Sequence, residues 1–294
     1  MTLSNFFSAA LLAASVVAMP LEAAPTAPSS VASLNGTANI PYFGHVAGNF
    51  QPKKGNNFAA KATGTVVNGP ERVWSIVNED GIGEGTDTYR QYWGDGGPEA
   101  GWPAKSDWVS FRAMFDNNKA IMFGSCGWNG WGADNSGEEV GQIYNAIQKV
   151  ALETGVDHRF VLATIIQESG GCTRVPTTDN GVVNPGLMQC HNGASSCNRD
   201  GWVQTPCPTN LIESMVREGT AGTPFGDGLA GTMNIATSTS GWGSRAVYMA
   251  ARLYNSGSVN QGDMNDPFTA TPCYAMDMAN RLTGWVLAPH NCPL

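Results

Sequence analysis

Apolar positions recur at helical spacing in the second half of the chain. In SGEEVGQIYNAIQKVALETG, Val140, Ile143, Tyr144, Ile147, Val150 and Ala151 fall on one face. Ser136 followed by Glu138 and Glu139 marks the start, since acids complement the positive end of a helix, and Gly155 marks the stop. A second start follows at Asp157. HRFVLATIIQES is apolar on most faces, which predicts a central helix ending at Gly170 and Gly171. SRAVYMAARLYNSG, Ser244 to Gly257, carries Val247, Ala250, Ala251 and Tyr254 on one side. PCYAMDMANRLTGW, Pro272 to Trp285, reads as a last helix with proline at its start and Gly284 at its end.

Elsewhere the pattern is looser. GTVV (Gly64 to Val67) and RVWSIV (Arg72 to Val77) read as short strands, and SDWVSFRAMFDNN as a helix opening at Ser106 or Asp107. A stretch rich in Gly, Pro and Asn separates Cys172 from Pro208. It is long for a connection, and loops of that length are usually functional or stapled. At the other end, the apolar run Phe6 to Ala18 closes with small residues and reads as a secretory signal peptide over 1–18. A Pro-, Ala- and Ser-rich leader follows to residue 60, with the only Asn-x-Ser/Thr sequon at Asn35.

Composition narrows the classes. The chain has 294 residues and a formal charge of −8, and it contains no Lys/Arg run, which argues against nucleic acid as a partner. Nothing after the signal is long and apolar enough to span a membrane. The seven cysteines fit an oxidising compartment, and the expectation is a local Cys190–Cys197 loop with one cysteine unpaired. Neither CxxC nor HExxH occurs and the histidines are scattered, so no metal and no cofactor is expected. Gly94 to Pro103, though glycine-rich, lacks the Lys-Ser/Thr of a nucleotide loop.

One acid stands out. Glu168 closes the apolar central helix, where burial and the negative helix end both push a carboxyl pKa upward. A carboxylic acid kept protonated near neutrality can protonate a leaving glycosidic oxygen. A solvated helix-terminal glutamate would carry the same letters. Two further motifs change the balance: Gly186-Leu187-Met188-Gln189, and Leu253-Tyr254-Asn255-Ser256-Gly257. Together with Glu168-Ser169 they resemble the goose-type lysozyme and lytic transglycosylase family of the lysozyme superfamily, over roughly Glu138 to Trp285, about half the chain.

The resemblance implies a mainly α (α+β) fold: a lysozyme-like helical domain over 124–294 with a disulfide-stapled loop, preceded by an irregular extension or small module over 61–123. Glu168 is then the general acid. Ser169, Gly186, Leu187, Met188, Gln189, Tyr254 and Asn255 form the substrate-binding set. Gly186 would let backbone approach the ligand, Met188 pack under a sugar ring, and Gln189 offer both donor and acceptor. Asp179 is the counterpart of an acid found in some members, while the acid expected two residues past the glutamine is replaced by His191. If Asp179 faces Glu168 across roughly 6.5–9.5 Å, it can activate water in an inverting hydrolysis. Otherwise the substrate's own hydroxyl attacks and an anhydro-sugar forms. Asp-Asn-Gly is equally a common turn.

The expected function is a secreted, extracellular, monomeric muramidase-like glycosidase that cuts β-1,4 bonds of peptidoglycan. Chitin is the alternative polymer. A carbohydrate-binding protein without turnover is the reading from another class, since the nine tryptophans, among them Trp93, Trp102, Trp108, Trp128 and Trp131, suit stacking on sugars. A secreted disulfide-rich interaction protein is the third.

Overall fold

The computed structural model describes residues 64–294. The signal peptide, the 19–60 leader and Asn35 lie outside the described residues. Among those residues seven helices carry the fold: α1 (Phe111–Trp128), α2 (Gly137–Thr154), α3 (His158–Ser169), α4 (Thr209–Ala221), α5 (Leu229–Ser240), α6 (Ser244–Ser256) and α7 (Tyr274–Leu282). Strands are confined to two hairpins, β1 (Thr178–Asp179) with β2 (Val183–Asn184) and β3 (Asn198–Arg199) with β4 (Trp202–Val203), both inside the long loop after α3. The class is therefore mainly α.

All twelve residues of α3 are buried, as its apolar faces predict. It packs against α1, α2, α4 and α7, while α2 pairs with α4 and α5 with α6. Local chemistry sets the ends. The Ser136 hydroxyl accepts from Glu139 N while the Glu139 carboxylate accepts from Ser136 N, a reciprocal cap at the start of α2. The Asp157 carboxylate accepts from Arg159 N at the start of α3, and Gly170 leaves that helix in the left-handed conformation. At Gly171, φ is +73° and a Cβ would lie 2.5 Å from Met122 Cγ, so the chain leaves Glu168 through a turn that admits no side chain.

Several expectations need correction. GTVV and RVWSIV form no strand. Their backbone N–H groups instead satisfy helix-end carbonyls: Thr65 donates to Ala221 O, Val67 to Thr154 O and Val73 to Gly155 O. Extended β-branched chain meets the last, unpaired carbonyls of α4 and α2, and that pairing replaces a sheet. The helix expected at Ser106 or Asp107 begins after Ser110, whose hydroxyl accepts from Ala113 N. Asp107 closes a short 3-10 turn by accepting from Ala104 N. Helices α4 and α5 had no counterpart among the sequence expectations.

The cysteines also pair differently. The disulfides are Cys126–Cys172, Cys197–Cys207 and Cys273–Cys292, and Cys190 is the free, buried one. Cys190 is turned toward Pro185 O and Glu218, so it cannot meet Cys197, which staples the β3–β4 hairpin to the start of α4. Three disulfides fit an oxidising environment. Among the described residues no helix is long and apolar enough to cross a membrane.

The stretch before α1 lies on the helices. Val67, Trp102, Trp108 and Val109 belong to the same hydrophobic cluster as α3, α6 and α7. Trp108 Nε1 donates to the Tyr248 hydroxyl of α6, which donates in turn to Pro103 O. Helix α1 runs unbroken through the 123/124 boundary.

Candidate functional site

Glu168 is the penultimate residue of α3 and keeps 7% of its surface exposed. Its Oε1 accepts a hydrogen bond of 2.5 Å from the hydroxyl of Tyr274, the first residue of α7. Burial pushes the Glu168 carboxyl up to about 7, and the Tyr274 hydrogen bond opposes part of that rise. The Glu168 charge in turn adds to the burial that holds the Tyr274 and Tyr254 hydroxyls well above the usual phenol range. Burial, with Glu218 and Glu168 adding to it, likewise raises the Cys190 thiol.

The three motifs meet at this helix end. The Ser169 hydroxyl lies within hydrogen-bonding distance of Ile165 O and Leu187 O, and it accepts from Gly171 N. The Tyr254 hydroxyl donates to Met188 O at 2.7 Å. The Gly186–Gln189 turn is thus clamped through two consecutive carbonyls, one by α3 and one by α6.

Within that turn the assigned side chains do other work than the sequence suggests. Ser169, Leu187 and Met188 are fully buried and present no surface to a ligand. Gly186 is needed for close approach to protein: at φ +74°, a Cβ would lie 2.6 Å from Met215 Cγ and 2.8 Å from Ser195 O. Met188 packs against Gly219 of α4, where an added Cβ would meet Met188 Cβ at 2.4 Å. Gln189 spends its amide on the loop, donating to Pro176 O and Gly186 O and accepting from the Thr178 hydroxyl.

Asn255 stands one step away. Its Oδ1 accepts from Arg252 and from Thr271 N, tying α6 to the segment before α7. Arg252, fully buried, sits 5.8 Å from the Tyr274 ring centre, and burial lowers its guanidinium to about 10. Asp179 is exposed at the β1–β2 hairpin, and its Oδ1 accepts from Gly181 N at 2.9 Å. That bond is turn chemistry, the alternative Asp-Asn-Gly allows. Of the tryptophans singled out, Trp102 and Trp108 are core residues, while Trp93 and Trp128 are exposed.

Tyr274 is the site residue that the spacing alone does not single out. Its signal is an aromatic residue opening the last predicted helix directly after Pro272-Cys273. No known family model matches the chain, and no curated protein matches it.

Proposed function

We propose that this chain is a secreted muramidase-like glycosidase cutting β-1,4 bonds of peptidoglycan, with Glu168 as general acid. The observation that carries this reading is a single one: a buried carboxyl at the end of α3, lifted to about 7 and hydrogen-bonded by Tyr274. An acid of that strength is largely protonated at mildly acidic pH and still strong enough to give its proton up. In the reaction Glu168 transfers its proton to the glycosidic oxygen as the C–O bond breaks, and becomes a carboxylate. The Tyr274 hydroxyl already donates to Oε1, so it stabilises the charge that develops there.

The oxocarbenium-like centre is then quenched by water or by a hydroxyl of the sugar itself. Asp179 is engaged in its own turn, which favours attack by the substrate's hydroxyl and an anhydro-sugar product. Mass spectrometry of soluble products from purified peptidoglycan at about pH 5 tests both points. Wild type should release muropeptides with anhydro ends, and Glu168→Gln should release none. Equal release by both proteins would remove Glu168 from the chemistry, and reducing ends would restore Asp179 as the base. Release from chitin alone would redirect the substrate.

A further inference from the structure

Directly behind the Tyr274–Glu168 contact lies a second polar contact between the same two helices. Asp277, one turn after Tyr274 on α7, has no exposed surface. Its Oδ2 accepts from Gln167 Nε2 at 2.9 Å, and Gln167 immediately precedes Glu168 on α3. Gln167 Oε1 accepts from Arg281 Nε at 2.6 Å, one turn further along α7. Residues 274, 277 and 281 share one helix face, so α7 presents three polar rungs in a row to the end of α3. The outer side of Asp277 is closed by the Tyr89 hydroxyl at 2.6 Å and His290 Nε2 at 2.9 Å, both on Oδ1.

A buried carboxylate is a costly way to join two helices, because apolar side chains of similar size would pack there without desolvating a charge. What it adds is direction. Apolar contacts tolerate sliding and rotation, whereas Asp277 bonded to Gln167 permits one register of α7 on α3. That register brings the Tyr274 oxygen to hydrogen-bonding distance of Glu168. We propose that Asp277 is a positioning residue for Glu168, acting through Gln167 and the α3–α7 register to hold the Tyr274 hydroxyl on the acid. This rests on the reading of Glu168 as the acid only for its consequence in catalysis; the positioning itself is a property of the fold.

The test is the titration of the Glu168 carboxyl, followed by carbon NMR of glutamate-labelled protein and assigned with Glu168→Gln. The titratable groups facing Glu168 are Tyr274, Tyr254 and Cys190; those facing Asp277 are His290 and Tyr89, with Arg252 close enough for its charge to be felt and the buried Arg281 on Gln167 between the two acids. Tyr274 lowers the Glu168 pKa, so losing the register should raise it. Removing a negative charge at 277 with the register intact would lower it. The sign therefore separates positioning from simple electrostatics.

Asp277→Leu, which removes both acceptor oxygens and so the Gln167 rung, should raise the Glu168 midpoint by about half a unit or more. Tyr274→Phe should do the same, and the double variant should add nothing further. If Asp277→Leu does not fold, Gln167→Met removes the Asp277 and Arg281 rungs from α3 while leaving Tyr89 and His290 on Asp277, and the same rise is expected. An unchanged or lowered midpoint in a folded variant overturns the proposal. In active protein, kcat should fall about tenfold with KM unchanged. Wild type that releases no muropeptides, together with a raised midpoint in Asp277→Leu, would sink the glycosidase reading and leave the positioning standing. Active wild type with an unmoved midpoint would do the reverse.

Discussion

Tyr274 donates to Glu168 Oε1 across the contact of α7 with α3, joining residues 106 positions apart in the chain. One carboxyl oxygen is thereby occupied by a donor, and the proton on the other is the one free to leave. Burial raises the Glu168 carboxyl and this hydrogen bond moderates the rise; the expected behaviour follows from the two together.

Activity should depend on the protonated form of Glu168. With a carboxyl near 7, turnover on peptidoglycan should be steady below about pH 6 and drop roughly tenfold per unit above 7. Glu168→Gln should lower kcat by at least ~10²-fold at every pH. A rate higher at pH 8 than at pH 5 would contradict the assignment.

Stability carries the same group with the opposite cost. The folded pKa of Glu168, about 7, lies above its ordinary value of 4.5, so its neutral form is the one the fold favours. The stabilisation is complete below about 4.5 and is lost as pH rises through 7. Glu168→Gln should match wild type near pH 4 and exceed it at pH 8 by on the order of 2–3 kcal/mol. Urea unfolding of both proteins at the two pH values measures this.

Like Asp157, Glu139 makes the fold sensitive to acid. Burial would raise its carboxyl, but hydrogen bonds from Arg174, Ser136 N and Cys207 N, with the Arg174 charge, hold it at about 2. This group stabilises the fold above its unfolded pKa, and the contribution disappears as pH falls from about 4.5 toward 2. Glu139→Gln leaves Arg174 buried without its counter-charge and should cost about 3–5 kcal/mol near neutrality. Its stability should then decline less steeply with acid than the wild type's, the remaining decline coming from groups such as Asp157, which Arg159 holds below its ordinary value.

Ser169 offers a check on the division between scaffold and site. Ser169→Ala leaves Leu187 O without a donor in a fully buried place, a loss of about 1–3 kcal/mol. Its KM for glycan should stay at the wild-type value, because the hydroxyl reaches no surface. A raised KM at unchanged stability would return Ser169 to the substrate contacts.

Cys190 should be silent in the native state. Burial raises its thiol, with Glu218 and Glu168 adding to the effect, so thiolate is scarce and access is closed. Thiol titration should find no reactive group in folded protein and one after denaturation without reductant. Reaction before unfolding, or more than one thiol afterwards, would refute this pairing.

How much was legible depends on how far each feature reaches along the chain. The start of α2 at Ser136, the stop at Gly155, the Asp157 start of α3 and the Gly170 exit are decided by residues within a turn or two, and the structure has them where the letters put them. GTVV and RVWSIV misled because β-branched content describes an extended chain without naming its partner, which proved to be helix-end carbonyls. Helix α5 escaped notice because its run of Thr, Ser and Gly carries weak helix propensity and its place is set by packing on α6.

The candidate site divides along the same line. That an acid ends a buried helix, and that two small motifs follow, is written in consecutive residues. Which side chains face a ligand is not. Leu187 and Met188 are core, Ser169 and Gln189 hold a turn, and Asp179 caps its own hairpin, because each found its partner in whichever segment packed beside it. Tyr274 on Glu168, and Asp277 on Gln167 behind it, exist only once α7 lies against α3. A hydrogen bond needs two atoms within about 3 Å. Local sequence can orient one of them, but only the packing of distant helices brings the other.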